Sequence, residues 1–247
     1  MYKLGLASVS FRGLDADRII DAVKDAGLSC IEWGSDVHAP CGDKRRLLHI
    51  AARCAAENID ICSYGSYFVI GKNPLSELAD YICAARLLGT GILRVWAGAG
   101  GSDDFSAEER ARFFDECRSA AGIAEGSGVV LSLECHQNTF TDTLEGALTL
   151  MREVDSPSLR MHWQPDQYRS AAENLRYAQA IAPYTTHLHV FNWEGDRRYP
   201  LGEGVELWRE YLARFRGDRC LLLEFMPDDD PATLPREADA LKKIAAC

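Results

Sequence analysis

The chain has 247 residues, of which 47% are hydrophobic and 26% are charged. That composition is typical of a water-soluble globular protein, and the length is enough for one large domain with a well-buried core. The formal net charge of −10 argues against binding to nucleic acid or to an anionic membrane, because both depend on clustered Lys and Arg. We therefore expect a small polar partner, with no role for nucleic acid or a membrane.

Neither the cysteines nor the apolar runs indicate secretion. Nine cysteines are scattered along the chain without a C-x-x-C pair, which favours free buried thiols over a disulfide framework or a zinc knuckle. The chain opens on an apolar strand-like run with no signal-peptide core. No run reaches the roughly 18 apolar residues that span a bilayer. These features predict a cytoplasmic protein.

Strand-like and helix-like patterns alternate from end to end, which indicates parallel βα units. The third predicted helix has Asn73 as its N-cap and Gly89 just past its end, and a capping box, Ser106-x-x-Glu109, opens the fourth. The eight predicted strands are Lys3–Ser8, Ser29–Trp33, Ile59–Tyr64, Gly91–Trp96, Val129–Glu134, Leu159–Gln164, Thr185–Phe191 and Arg219–Phe225.

Eight such units close naturally into a (β/α)₈ TIM barrel, and we expect a single barrel domain over residues 1–247. A doubly wound open sheet is the alternative, but no Gly-rich phosphate-binding turn follows the first predicted strand. No linker, low-complexity segment or long charge run divides the chain.

Alternation along the last four predicted strands separates two faces. One face carries only apolar residues, namely Leu131, Leu133, Met161, Trp163, Leu188, Val190, Leu221 and Leu223. The other face carries Ser132, Glu134, His162, Gln164, His187, His189, Leu222 and Glu224. We expect the apolar face to contact the helices and the polar face to line the barrel interior, toward the end where barrel active sites lie.

Glu134, Gln164, His189 and Glu224 stand near the ends of consecutive predicted strands on the polar face. Two carboxylates about 4 Å apart would repel by roughly 4 kcal/mol at an effective dielectric constant near 20, so a cation between them is the natural compensation. Three oxygen donors and one imidazole suit Mn²⁺, Mg²⁺ or Co²⁺ better than a thiolate-rich zinc site does. Each residue alone could be an ordinary hydrogen-bonded side chain, but four at matching strand ends favour a metal site.

Short fragments along nearly the whole chain resemble a known family. The most specific include Leu133–Asp142, WQPD at Trp163–Asp166, His187–His189 and LGEG at Leu201–Gly204. Together they are similar to the xylose isomerase-like (β/α)₈ barrels of the sugar phosphate isomerase/epimerase family, which include ketose 3-epimerases and hydroxypyruvate isomerases. In that family a Glu, an Asp, a His and a Glu on strands five to eight bind the metal. The resemblance implies these roles for Glu134, Gln164, His189 and Glu224.

The chain departs from the family pattern at two positions. Gln164 stands where the better-known epimerases have Asp, and Gln167 stands where they have a substrate-binding His. An amide oxygen can bind a metal but brings no charge, so the site would be one unit more positive. These changes bear on the substrate and on the reaction.

The resemblance implies a metal-dependent isomerase or epimerase of carbohydrate metabolism that acts on a sugar or keto acid. The metal, with Mn²⁺ as first choice and Mg²⁺, Co²⁺ or Zn²⁺ as alternatives, would stabilise an enediolate. Glu134 and Glu224 would remove and return the proton. The predicted substrate contacts are Trp33, Arg94, Trp96, His136, Gln167 and Arg197. For the tryptophans, packing at the barrel rim is the alternative, and for Arg197 it is a solvated loop charge.

Two other functions stay open. A metal-dependent dehydratase of cyclic polyols or keto-inositols begins with the same proton abstraction and then expels a hydroxyl group. A non-catalytic sugar-binding barrel would keep the pocket without turnover. The sequence leaves open whether the substrate is phosphorylated and whether the chain forms a homo-oligomer.

Overall fold

A closed barrel of parallel strands organises the computed structural model, which describes residues 2–246. The strands are β1 (Tyr2–Ala7), β2 (Cys30–Gly34), β3 (Asp60–Ile70), β4 (Ile92–Ala97), β5 (Val130–Glu134), β6 (Leu159–Trp163), β7 (Thr185–Val190), β8 (Trp193–Glu194), β9 (Arg197–Arg198) and β10 (Arg219–Leu223). Strands β8 and β9 pair with each other as an antiparallel hairpin, and the other eight close in the order β1-β10-β7-β6-β5-β4-β3-β2. The predicted (β/α)₈ TIM barrel is confirmed.

Eight α-helices surround the barrel within the described residues. They are α1 (Ala16–Asp25), α2 (Lys44–Ala56), α3 (Leu78–Leu88), α4 (Ala107–Gly126), α5 (Leu144–Val154), α6 (Ala171–Ile181), α7 (Val205–Leu212) and α8 (Leu234–Ala245). The capping box predicted for α4 is present, with Ser106 and Glu109 satisfying each other's backbone N–H groups. No helix between residues 2 and 246 combines the length and the apolar character needed to cross a membrane.

The start of α3 and the end of β3 differ from the sequence prediction. The Asn73 side chain accepts a hydrogen bond from the Val69 backbone N–H, and α3 begins only at Leu78, so Asn73 is not its N-cap. Gly89 ends α3 in the left-handed conformation, at φ 82°, as expected. Strand β3 runs six residues past Tyr64 because Phe68 and Ile70 are buried and continue the alternation.

The two faces of the last barrel strands lie as the alternation predicts. Leu131, Met161, Leu188 and Leu221 all belong to the large apolar cluster between the barrel and the helices. Leu222, on the opposite face, belongs instead to a small separate cluster with Cys30 and Cys220. The polar residues that alternate with the apolar ones on β5, β6 and β7 therefore point into the barrel interior, and the helix-facing positions form the core.

Candidate active site

A cavity of about 260 Å³ lies at the carboxyl ends of the barrel strands. Its lining includes seven of the residues predicted to bind metal or substrate, namely Arg94, Trp96, Glu134, His136, Gln164, Gln167 and Glu224. These residues come from four different strands or the loops after them, which is how a barrel of parallel strands assembles a site.

His189 is the centre of the predicted ligand set. Its Nδ1 atom lies 2.9 Å from Gln164 Oε1, 3.4 Å from Glu134 Oε1 and 3.3 Å from Glu224 Oε2. Its Nε2 atom lies 3.1 Å from Glu32 Oε1, where an N–H can donate to the carboxylate. Without a metal, an N–H on Nδ1 can donate to these oxygens, and with the proton kept on Nε2 the Nδ1 atom is free to bind a metal ion.

Glu32 and Arg94 form a buried ion pair that the sequence prediction did not include. The Arg94 Nε donates to Glu32 Oε1 at 2.9 Å, and its Nη1 donates to Glu134 Oε2. The other oxygen of Glu32 accepts from Ser63 Oγ at 2.6 Å. Gly65 makes room for the pair, because a Cβ at this position would lie 2.6 Å from Arg94 Nη2 and 3.0 Å from Glu32 Oε1. The sequence signal for Glu32 is the alternation of side chains along β2, which places Glu32 on the interior face.

The two glutamates of the ligand set have different surroundings. Glu134 Oε2 accepts from Arg94 and, at 2.5 Å, from Trp96 Nε1, which leaves Oε1 facing His189. Glu224 has one polar side-chain contact among residues 2–246, with His189 at 3.3 Å. One carboxylate is therefore fixed by two donors, and the other is not.

The charges of this cluster shift several pKa values. Burial raises the pKa of Glu134, but the adjacent Arg94 charge and His189 outweigh burial and hold it well below its ordinary value. Burial also raises the pKa of Glu224, and the net shift of that pKa is upward. For His189, burial opposes the positive charge, yet Glu224 and Glu32 raise its pKa to about 10. Without a metal, the pKa values of the two glutamates thus shift in opposite directions.

Two of the predicted substrate contacts lie outside the cavity. Trp33 is fully buried in the apolar cluster on the helix side of β2, because it neighbours the inward-facing Glu32 and alternation turns it the other way. Arg197 is exposed on the β9 strand, with its guanidinium 4.7 Å from the centre of the Tyr199 ring. The structure therefore does not bring Trp33 and Arg197 together with the other predicted site residues.

Two cavity arginines were also missed. Arg12 and Arg169 line the opening, and each is held by an acidic neighbour. Arg12 Nε donates to Asp36 Oδ2 at 2.9 Å, and Arg169 Nε lies 3.5 Å from Asp166 Oδ2. Nothing in their local sequence distinguishes them from the other arginines, because their contribution depends on how the loops meet.

The donor atoms fit a divalent metal ion. Glu134, His189 and Glu224 each offer one ligand atom, and these atoms lie within 4.8 Å of one another, with Gln164 Oε1 alongside. Metal–oxygen bonds of about 2.1 Å in octahedral geometry place neighbouring ligands about 3 Å apart, close to the spacing around Nδ1. When all three carboxylates are ionised, they and the one guanidinium carry two net negative charges, which a divalent ion would neutralise. Arg94 does not compete for the ligand atoms, because it binds the other oxygen of Glu134.

The family is decided by sequence comparison. The model of the xylose isomerase-like TIM barrels matches residues 20–244. This chain belongs to that family. The resemblance inferred from the short fragments is therefore confirmed, and the interior residues described above can be compared with those of other xylose isomerase-like TIM barrels.

Three proteins similar to this chain differ in the activities that their names give. A 3-dehydroshikimate dehydratase from Bacillus anthracis is 26% identical over 200 residues, covering 77% of this chain and 71% of its own. The structure of a probable 3-DHS dehydratase from the same organism superposes with a TM-score of 0.84 at 22% identity, covering 98% of this chain and 99% of its own. An L-ribulose 3-epimerase gives a TM-score of 0.75 at 17% identity, with 98% and 93% covered. These structural likenesses show the fold.

Proposed function

We propose that this xylose isomerase-like TIM barrel is a metal-dependent dehydratase that acts on a hydroxylated keto acid. The observation that carries the proposal is the asymmetry of the two glutamates. A two-base epimerase needs two carboxyl groups that can each exchange a proton with the substrate, one on each face. Here Glu134 Oε2 is occupied by Arg94 and Trp96, whereas within residues 2–246 the one polar side-chain contact of Glu224 is with His189.

A single mobile proton carrier is sufficient for an elimination. Glu224 removes the proton from the carbon next to the substrate carbonyl, and the electron pair of that C–H bond forms the new C=C bond as the neighbouring C–O bond breaks. The protonated Glu224 then returns its proton to the departing hydroxide, which leaves as water. Glu134, His189 and Gln164 would hold a divalent ion that, when bound, polarises the carbonyl and offsets the developing negative charge.

Two arginines at the rim of the cavity support the proposal that the substrate is acidic. The Arg169 guanidinium lies over the Tyr177 ring at 5.4 Å, and Arg12 lies over the Phe225 ring at 5.6 Å. Both arginines line the cavity, where they offer N–H donors to a carboxylate that enters it. The 3-dehydroshikimate dehydratase relative, at 26% identity, is named for a substrate of this chemical class.

An isomerase or epimerase is the second candidate. Glu134 and Glu224 belong to opposite parts of the barrel interior, on β5 and just after β10, and both face Nδ1 of His189. If substrate binding releases Glu134 from Trp96, each glutamate could exchange a proton with one face of the substrate. The L-ribulose 3-epimerase neighbour shares this fold.

Product analysis in D₂O separates the candidates. The protein is incubated with Mn²⁺, Mg²⁺ or Co²⁺ and either 3-dehydroshikimate or a panel of ketoses, and the products are examined by mass spectrometry. A dehydratase yields a product lighter by one water, and Glu224→Gln stops its formation while Glu125→Gln, an exposed helix position, does not. Solvent deuterium in a recovered ketose without loss of water would instead support the epimerase. Neither change with any of these compounds would contradict both.

A further inference from the structure

Three cysteine side chains meet inside the barrel, at the end opposite the cavity. They come from the beginnings of three strands, namely Cys30 on β2, Cys62 on β3 and Cys220 on β10. Their sulfur atoms all lie within 4.8 Å of one another, and Cys30 and Cys220 are buried. We call this group the thiol cluster. It shares no residue with the cavity.

A glycine on the intervening strand makes room for the cluster. Strand β1 lies between β2 and β10 in the closed barrel, and its Gly5 is in register with Cys30 on one side and Leu222 on the other. A Cβ at residue 5 would lie 2.5 Å from the sulfur of Cys30. Any other residue at this position would therefore displace that sulfur from the interior.

Positive and polar groups surround the thiol cluster. The Nδ1 atom of His187 lies 3.3 Å from the backbone nitrogen of Cys220, and its Nε2 lies 3.2 Å from the backbone oxygen of Cys62. Lys3 is in register with Cys220 and pairs with Asp60, which is in register with Cys30. His187 thus contacts the backbone of two of the three cysteines, and the exposed Lys3–Asp60 pair lies on strand residues in register with Cys220 and Cys30.

We propose that Cys30, Cys62 and Cys220 bind one thiophilic d¹⁰ metal ion, Zn²⁺ or Cu⁺, as three thiolates. Zinc–sulfur bonds of about 2.3 Å in tetrahedral geometry place the sulfurs about 3.8 Å apart, which is inside the 4.8 Å within which the three sulfurs lie. Thiolates select these ions over the Mg²⁺ and Mn²⁺ that suit the oxygen donors of the cavity. Binding releases the thiol protons to solvent and joins β2, β3 and β10 through one ion.

Co²⁺ serves as the probe, because thiolate ligands give it an intense charge-transfer absorption that oxygen and nitrogen ligands do not. Metal-free protein is titrated with Co²⁺ under reducing conditions. We expect this absorption to saturate at one ion per chain, and to persist in the double variant Glu134→Gln, Glu224→Gln, in which the cavity site is impaired. Cys62→Ser and Cys220→Ser should lose it, and Cys83→Ser, at an exposed cysteine, should keep it.

Wild-type protein gives a second measurement that does not depend on how the variants fold. Thiols are alkylated with and without one equivalent of Zn²⁺ or Cu⁺, and labelling of each cysteine is quantified by mass spectrometry. Protection of Cys30, Cys62 and Cys220 together, with Cys83 unaffected, supports the site, and the ion that protects at the lower concentration is the preferred one. Absence of the charge-transfer absorption, or equal labelling with and without both ions, overturns the proposal and leaves the thiols as small apolar filling.

Discussion

The two ends of the barrel interior carry opposite donor chemistry. The cavity end offers carboxylate, amide and imidazole groups around His189, with Arg94 as an internal counter-charge. The thiol cluster offers three sulfurs. The same strands supply both ends, through Cys30 and Glu32 on β2, His187 and His189 on β7, and Cys220 on β10 with Glu224 just after it. The position of a residue along its strand, more than which strand carries it, therefore determines the type of donor group at each end of the barrel.

A buried histidine separates the two ends. His162 has no hydrogen-bond partner for either ring nitrogen among the described side chains and backbone. Its ring lies 4.1 Å from that of His189 and 6.2 Å from that of His187. Burial and the nearby His189 hold its pKa well below the ordinary value, so His162 is neutral and carries no charge between the two clusters.

The largest expected effect is on catalysis at the cavity end. Glu224→Gln keeps the shape of the side chain but removes the group that carries the proton. We expect kcat to fall by about 10²–10⁴-fold, the usual contribution of a positioned acid or base. Steady-state kinetics on whichever substrate the product analysis identifies measures this. A variant that retains more than about a tenth of wild-type kcat would exclude Glu224 from proton transfer.

The next effect concerns the buried charges of the cavity end. Arg94→Met leaves Glu32 and Glu134 buried without their shared partner, and we expect the free energy of unfolding to fall by about 3–5 kcal/mol. Urea unfolding of the metal-free protein measures the loss. Arg112→Met is the matched control, because Arg112 is exposed and pairs with Glu108, and it should cost no more than about 0.5 kcal/mol. Equal losses in the two variants would contradict this account of Arg94.

The pH dependence of stability should also differ between the ends. Beside the cavity end, burial lowers the pKa of His38, whose ring nitrogens lie 3.2 Å from Ser8 Oγ and from the Leu14 carbonyl oxygen. The unfolded chain then binds a proton more readily than the folded one. Stability should therefore fall as the pH decreases through the unfolded pKa of about 6.5, by up to about 1.4 kcal/mol per pH unit.

Variants at two histidines test that dependence by urea unfolding between pH 5 and pH 8. His38→Gln should flatten the loss of stability in acid. At the thiol end, burial lowers the pKa of His187, but contacts with Cys220 raise it by a larger amount, so the net shift is upward. Its contribution is present in acid and is lost as the pH rises, so His187→Gln should steepen the acid loss. Identical slopes in all variants would refute both assignments.

The smallest expected effect is at the thiol cluster without metal. Cys62→Ala removes one half-buried sulfur, and we expect it to cost no more than about 1 kcal/mol in metal-free protein. Added Zn²⁺ should widen the difference, because only the wild type gains binding energy at the thiol cluster, about 2.7 kcal/mol when the free ion is at 100 times its Kd. Thermal unfolding with and without Zn²⁺ measures both quantities. If the difference in stability between wild type and Cys62→Ala is the same with and without Zn²⁺, the proposed metal site at the thiol cluster is contradicted.

Much of the architecture follows from local sequence alone. Alternating strand and helix patterns predicted the barrel, and a period of two placed Glu134, Gln164, His189 and Glu224 on the interior face. Parallel strands in a closed barrel present their carboxyl ends together, so residues at matching strand ends were expected to meet. The same period, applied to β2, would also have placed Glu32 inside and Trp33 outside.

Tertiary structure alone decided the rest. Arg94 reaches both Glu32 and Glu134 because Gly65 leaves space, and that contact makes the two glutamates unequal. No short sequence motif marks the thiol cluster, because its cysteines are 32 or more residues apart. They meet only where the barrel closes across β1. Periodicity fixes which way a side chain points, because it is a property of one strand. Which groups then touch depends on register and closure, which are properties of all eight.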